Sequence, residues 1–205
     1  MDNQWMQWAQ RIQAIAKTGI AFSKDIYDIE RYEELRNISV EIIAKHTDLE
    51  IAKIKDLFAD AKGYQTPKVD IRGVVFRNGR ILMVKEKNDN KWALPGGFCD
   101  VGLSPSQNVV KEIKEESGFI VNPIRLLALL DKNKHPHPVD LQHFYKIFIL
   151  CEIVGGEATA GIETNSIEFF SENDLPELSI TRNTASQIHT LFEFLHNPDK
   201  ETVFD

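Results

Sequence analysis

The chain has 205 residues, 42% of them apolar and 27% charged, with 24 Lys+Arg against 31 Asp+Glu for a formal net charge of −7. Such proportions describe a globular protein with room for a core in one or two domains, and they exclude a disordered or fibrous chain. The acidic balance and the lack of a strongly basic run leave no footprint for a long nucleic acid.

Two isolated cysteines, Cys99 and Cys151, are too few for a disulfide framework or a cysteine zinc site, and they fit a reducing cytosol. The opening MDNQWMQWAQRIQAIAK lacks the basic and apolar regions of a secretory signal. No apolar run reaches the length a membrane span needs. A cytoplasmic protein without a membrane partner is expected.

The first sixty residues read as helices. Trp5, Trp8, Ile12, Ile15 and Ala16 recur at three- and four-residue spacing and form one apolar stripe. A second run carries Ile29, Tyr32, Leu35, Ile38, Ile42 and Ile43. A third begins at Thr47, where TDLE has the form of a capping box, and continues through Ile51, Ile54, Leu57 and Phe58. KGYQTPK, from Lys62 to Lys68, has the Gly, Thr and Pro of a linker. The expected division is therefore a helical domain over 1–64 and a second domain over 65–205. A helical segment this small, with apolar stripes, is expected to dock or to form a homodimer.

Beyond Val69, VDIRGVVF and ILMVKEK are strand-like and joined by Asn78-Gly79, a hairpin signal because both residues tolerate positive φ. A helix is predicted over about 105–117, with Ser104 as N-cap, Gln107 at N3, Pro105 at the first helical position and Gly118 as the stop. Strands are predicted over Arg125 to Leu130 and Phe144 to Ile153, and a last amphipathic helix holds Ile188, Leu191, Phe192 and Leu195, with Pro198 beyond its end. Strands flanking a central helix, with another helix at the end, predict an α/β sandwich.

On the central helix Val109, Val110 and Ile113 face one side, while Glu112, Glu115 and Glu116 converge on a neighbouring one. Like charges at this spacing destabilise a helix by about 0.2–0.5 kcal/mol per pair, a sign that a bound cation reverses. Carboxylate oxygens suit Mg²⁺ and Mn²⁺. Acidic helix faces are more often simply solvated, and Lys111 and Lys114 could neutralise this one. The upstream Pro95-Gly96-Gly97 shifts the reading toward a site, because glycine lets the backbone approach closely and offer a carbonyl to the same cation.

LPGGFCDVGLSPSQNVVKEIKEESGF resembles the Nudix box: Gly, five residues, Glu, seven residues, then Arg-Glu-aliphatic-any-Glu-Glu-any-Gly-aliphatic. With Gly97 as the first glycine, Glu112, Ile113, Glu115, Glu116, Gly118 and Phe119 fall in register, and WALPGG from Trp92 resembles the family's lead-in. The resemblance implies a Nudix-like α/β/α sandwich with a mixed sheet over about Val69 to Leu195, after the helical domain. It implies that Gly96 (by its carbonyl), Glu112, Glu115 and Glu116 hold Mg²⁺ or Mn²⁺. Two positions depart: the box's first Glu is Leu103 and its Arg is Lys111, which points to a lost or rewired supporting pair, since the three helix carboxylates remain.

Family members also use a loop Glu ahead of a later strand. GIETNSIEFF offers Glu163 and Glu168, and Glu163 is preferred because Glu168 falls within the strand-like run. Glu163, Glu115 and Glu116 are thus the expected catalytic residues, with Arg72, Lys132 and Lys134 as candidate substrate-binding residues. His135-Pro136-His137 could suggest a transition metal, but without a third soft ligand it reads as a solvated loop.

The implied activity is metal-dependent hydrolysis of the pyrophosphate bond of a nucleoside diphosphate linked to another moiety. GIAFSKDIYDIERYEELRNIS resembles the N-terminal region of a bacterial subgroup of CDP-choline and ADP-ribose pyrophosphatases. CDP-choline, giving CMP and phosphocholine, is preferred here, with Trp5, Trp8, Tyr27 and Tyr32 as possible partners for a quaternary ammonium; at helical spacing such aromatics are more often core. ADP-ribose or a nucleotide sugar is the first alternative, a metal-dependent RNA phosphodiesterase the second, and a non-catalytic nucleotide sensor the third.

Overall fold

Three helices open the chain: α1 (Gln4–Phe22), α2 (Ile26–His46) and α3 (Ile51–Ala59). The computed structural model describes residues 4–59, 63–64 and 66–205, and the expectations for the side chains of Leu57 and Phe58 and for linker residues Lys62 and Gln65 lie outside the described set. The described residues fall into two compact units: one comprises the chain up to Pro67 with Val139–His143, the other Lys68–Pro138 with Phe144–Asp205.

In the first unit Met6, Ala9, Val40, Ile43 and Ile54 form the core. The buried face of α1 differs from the apolar stripe read in the sequence. It consists of Met6, Ala9, Gln13, Ala16 and Lys17, while Trp8 and Ile15 are 53% and 56% exposed. Close helix approach explains the difference, because small residues admit the neighbouring backbone where large ones hold it off. Ser39 Oγ donates to the Ala9 carbonyl, and a Cβ on Gly19 would stand 2.4 Å from the Tyr32 ring. Thr47 also departs from expectation. It caps the C-terminus of α2, its hydroxyl donating back to the Ile43 carbonyl, and α3 starts only at Ile51. Residues 139–143 join this unit through Leu141, packed on the core, and through Gln10 Nε2, which donates to the Asp140 carbonyl.

The second unit contains β1 (Lys68–Arg77), β2 (Arg80–Glu86), β3 (Trp92–Ala93), α4 (Pro105–Ser117), β4 (Phe119–Asp131), β5 (Phe144–Gly156), β6 (Thr164–Phe170), α5 (Ala185–His196) and β7 (Val203–Phe204). They form one mixed sheet in the order β3-β2-β1-β5-β4-β7, with β6 also on β2. β1 runs parallel to β5 and antiparallel to β2. Val109 and Ile113 of α4 pack with Ile71, Val75 and Leu82 on one face; Ile188, Leu191 and Phe192 of α5 pack with Val74, Met83 and Phe148 on the other. The result is a sheet sandwiched between helices, as expected.

The caps of α4 fall where the sequence put them. Ser104 and Gln107 form a reciprocal capping box, Pro105 opens the helix, and Gly118 closes it at φ 75°. β4 begins immediately after this glycine, earlier than expected, and runs through Pro123 because the ladder bulges between Pro123 and Arg125. Among the described residues no helix is long and apolar enough to cross a membrane.

Candidate active site

The site is assembled where the loop after β3 lies along β1. Gly73 N–H donates to the Pro95 carbonyl and Ile71 N–H to the Gly97 carbonyl, each at 2.8 Å. The carbonyl of Gly96, between them, is not part of that ladder. Gly96 has φ 143°, and a Cβ there would stand 2.0 Å from the Ile71 carbonyl oxygen, so only glycine fits. Its N–H donates to Glu116 Oε2 at 2.7 Å, and a Cβ on Gly97 would lie 3.2 Å from Glu112 Oε2. The loop and α4 thus bring Gly96, Glu112 and Glu116 together.

Glu116 is 7% exposed, and its carboxyl is pushed up to about 8. Desolvation is the main cause; Arg72 and the Gly96 N–H oppose it, while Glu86 and Glu112 reinforce it. Glu112 is also raised, again chiefly by burial. Glu115 stands apart from these two. Its side chain is 58% exposed and its Oε2 lies 3.2 Å from Lys111 Nζ, which also pairs with Asp100 Oδ2 at 3.0 Å.

Glu86 went unnoticed in the sequence. It ends β2, is 3% exposed, and is raised by burial against the pull of Arg182, whose Nε lies 3.0 Å from its Oε1. Its signal was parity: it follows Leu82 and Val84 at period two, on the strand face where Leu82 packs with α4. Glu163 is exposed just before β6, its carbonyl accepting from Lys87 N–H at 2.9 Å, and its charge adds to the upward shift of Glu86.

Arg72 is 5% exposed, with Nε on Asp70 Oδ1 at 2.8 Å and Nη1 on the Leu94 carbonyl at 3.1 Å. Burial acts to lower its pKa, but Asp70 and then Glu116 outweigh that and raise it, so the guanidinium stays charged beside the carboxylates. Lys132 and Lys134 separate. Lys132 is 5% exposed with Nζ 4.7 Å from the centre of the Phe144 ring, and its charge reaches Lys146, whereas Lys134 is exposed. The loop of His135 and His137 is not freely solvated. His135 Nε2 lies 3.1 Å from Asp205 Oδ2, and His137 Nδ1 lies 2.7 Å from the Ile180 carbonyl with Nε2 buried.

The donors at the site are all oxygens, and those of Glu112 and Glu116 are desolvated and mutually repelling, which suits a hard divalent cation rather than a soft one. Among the described residues, however, no group of three or more His, Cys, Asp or Glu side chains converges as a ready-made metal cluster. Lys111 holds Glu115, and the Gly96 N–H holds one oxygen of Glu116. Glu112, Glu116 and the Gly96 carbonyl fit the cation by chemistry and place, and Glu115 fits by chemistry.

Two family models match the chain: a UDP-X-like N-terminal oligomerisation domain over residues 3–58 and the NUDIX domain over 66–192. A Bacillus subtilis (strain 168) protein, YjhB, provisionally named an ADP-ribose pyrophosphatase, is 56% identical over 205 residues, covering 100% of this chain and 99% of its own. The ADP-ribose pyrophosphatase of Methanocaldococcus jannaschii is 33% identical over 144 residues, 69% of this chain and 83% of its own. Among solved structures, a UDP-X diphosphatase superposes with a TM-score of 0.65 at 32% identity, covering 99% of this chain and 98% of its own. An ADP-ribose pyrophosphatase from Streptococcus suis superposes with a TM-score of 0.63 at 46% identity over 68% of this chain and 100% of its own. The family generally uses divalent metal ions. The box register, the sandwich built around it and these matches agree: the chain belongs to the Nudix family and is a pyrophosphohydrolase.

Proposed function

We propose that this chain hydrolyses the pyrophosphate bond of ADP-ribose, giving AMP and ribose 5-phosphate, with Mg²⁺ or Mn²⁺. The observation that carries the reading is the 56% identity, end to end, to the Bacillus subtilis relative named for that activity. A second reading is a pyrimidine nucleotide of the CDP-choline type. The likeness of the whole chain, helical unit included, to a UDP-X diphosphatase supports it. The aromatics considered for choline give it less support, since Trp5 stacks on His46 at 4.7 Å and Trp8 and Tyr27 are exposed.

In this reading Glu112, Glu116 and the Gly96 carbonyl hold the cation, and Glu115 joins them. A bound divalent cation neutralises the diphosphate and makes water a stronger acid. Arg72, charged, fixed by Asp70 and electrostatically coupled to Glu116, would offset the charge that develops on the diphosphate. Glu163 or Glu116 accepts the proton of the attacking water. A division near residues 64–65, homodimer formation through the helical unit and residence in the cytoplasm belong to the same reading.

The test is a panel of ADP-ribose, CDP-choline and UDP-sugars with Mg²⁺ or Mn²⁺, with nucleoside monophosphate resolved chromatographically and phosphate released by coupled phosphatase. ADP-ribose should exceed CDP-choline in kcat/KM by at least about tenfold, a difference of some 1.4 kcal/mol in transition-state binding. The reverse order overturns the choice of substrate. Saturable nucleotide binding without product, or turnover confined to RNA ends, overturns the reaction.

A further inference from the structure

We infer that Asp100 is a positioning residue for the carboxylates of α4, acting through Lys111 and taking over the part of the acidic residue that the Nudix box has where this chain has Leu103. The inference rests on the proposed cation site. It begins with the two departures from the box pattern, Leu103 and Lys111, and with the place where the displaced charge reappears.

Lys111 lies one turn before Glu115 and adjacent to Glu112. Its Nζ is 3.2 Å from Glu115 Oε2 and 3.9 Å from Glu112 Oε1. Left alone with these two, the ammonium would neutralise the oxygens that a divalent cation needs. Asp100 Oδ2 lies closer, at 3.0 Å, and draws the ammonium toward the loop. Lysine suits this arrangement, being a point charge on a flexible stem that can swing toward one carboxylate, whereas arginine is a rigid fork.

The loop is built to hold Asp100 in place. Asp100 N–H donates to Asn108 Oδ1 at 2.8 Å, and Asn108, fully buried in the first turns of α4, donates through Nδ2 to the Leu103 and Ser104 carbonyls at 3.2 Å each. Gly102, at φ 90°, turns the chain between them. One buried amide thus joins the Asp100 loop to the helix whose charges it organises. Leu103, whose carbonyl takes part in this latch, is 39% exposed and brings no charge.

Stability does not account for the arrangement. The side chains of Lys111, Asp100 and Glu115 are 39%, 55% and 58% exposed, and pairs that exposed contribute little to folding. What the network fixes is where a charge points.

Mn²⁺ binding without substrate, followed by the loss of the free-ion electron paramagnetic resonance signal, tests the inference in five proteins: wild type, Asp100→Asn, Asp100→Glu, Lys111→Met and the double variant of Asp100→Asn with Lys111→Met. Asp100→Asn should weaken Mn²⁺ binding about tenfold. In the Lys111→Met background the same change should alter binding less than about twofold, because the intermediary is gone. Asp100→Glu should restore at least half of the lost affinity on a logarithmic scale, and melting temperatures should vary by only a few degrees. Unchanged binding in Asp100→Asn overturns the inference. An equal loss in both backgrounds also overturns it, since Asp100 would then act by its own field or through the fold. Failure of the wild type to bind Mn²⁺ removes the cation site itself and this inference with it.

Discussion

Asp70 and Lys146 stand opposite each other in the parallel register of β1 and β5, and their side chains form an ion pair with the lysine fully buried. Asp70 carries two cations, since Arg72 Nε shares its other oxygen at 2.8 Å. Burial alone would push the Asp70 carboxyl up, but Arg72 and Lys146 together hold it below its ordinary range. Among the described residues Lys146 pairs with no second carboxylate, so the two ends of the pair are unequal. Asp70→Asn leaves a buried ammonium beside Arg72 and should cost about 3–5 kcal/mol, whereas Lys146→Met leaves Asp70 still bound to Arg72 and should cost about 1–3 kcal/mol. The double variant should be more stable than Asp70→Asn alone. Urea unfolding of the three variants checks the order.

Glu116→Gln keeps an acceptor for the Gly96 N–H and removes the charge. Turnover should fall by roughly 10²–10⁴ if this carboxylate holds the cation or takes the proton of the attacking water. The fold should not suffer, because the change relieves a desolvated carboxyl already pushed up to about 8. Steady-state kinetics beside a thermal melt separate the two effects. Near-normal turnover would remove Glu116 from the chemistry.

Gly96 and Gly102 both have positive φ, at 143° and 90°, but in different surroundings. A Cβ on Gly96 meets the Ile71 carbonyl, while one on Gly102 meets nothing within 4 Å. Gly96→Ala should therefore cost at least ~3 kcal/mol and abolish activity, by pulling the loop away from both β1 and Glu116. Gly102→Ala should cost about 1 kcal/mol, from backbone strain alone. Chemical denaturation distinguishes them, and equal losses would show that the close approach at Gly96 is unimportant.

What the sequence could convey was local. The caps of α4 depend on residues a turn or two apart, and the helix follows from them. The same spacing puts Glu112, Glu115 and Glu116 on one helix, yet it could not show that Glu115 turns to Lys111. Asp70 and Lys146 are separated by 76 residues, and nothing local marks two strands that pair in parallel. Glu86 was hidden for a related reason, since its ion-pair partner Arg182 comes from a loop far along the chain. On α1 the spacing of the apolar residues includes Ala16 but not Ala9, although close packing selects for small size and buries both. At Thr47 the hydroxyl had two possible backbone partners, and the last turn of α2 took it. Asp100 lies outside the box positions, so the rewiring of its charge became visible only in three dimensions.

His137 supplies a pH dependence of stability. Its ring is half-buried, held at Nδ1 by the Ile180 carbonyl, and its pKa is pushed down to about 4, first by desolvation and then by Lys146, Lys132 and His135. In the unfolded chain the imidazole titrates near its ordinary value of about 6.5. Between about 6.5 and 4 the unfolded state therefore binds a proton that the folded state refuses, and stability falls as pH falls through that window. The contribution is present in full above about 6.5 and is lost by about 4; with the ring partly exposed it should amount to roughly 1–3 kcal/mol. Glu116 acts in the opposite sense over part of the same range, since a carboxyl raised to about 8 favours the folded state at low pH. The difference between wild type and His137→Gln isolates the histidine. Unfolding free energies at pH 7.5, 6, 5 and 4 should converge for the two proteins as pH falls, and parallel curves would mean that His137 titrates normally in the folded protein.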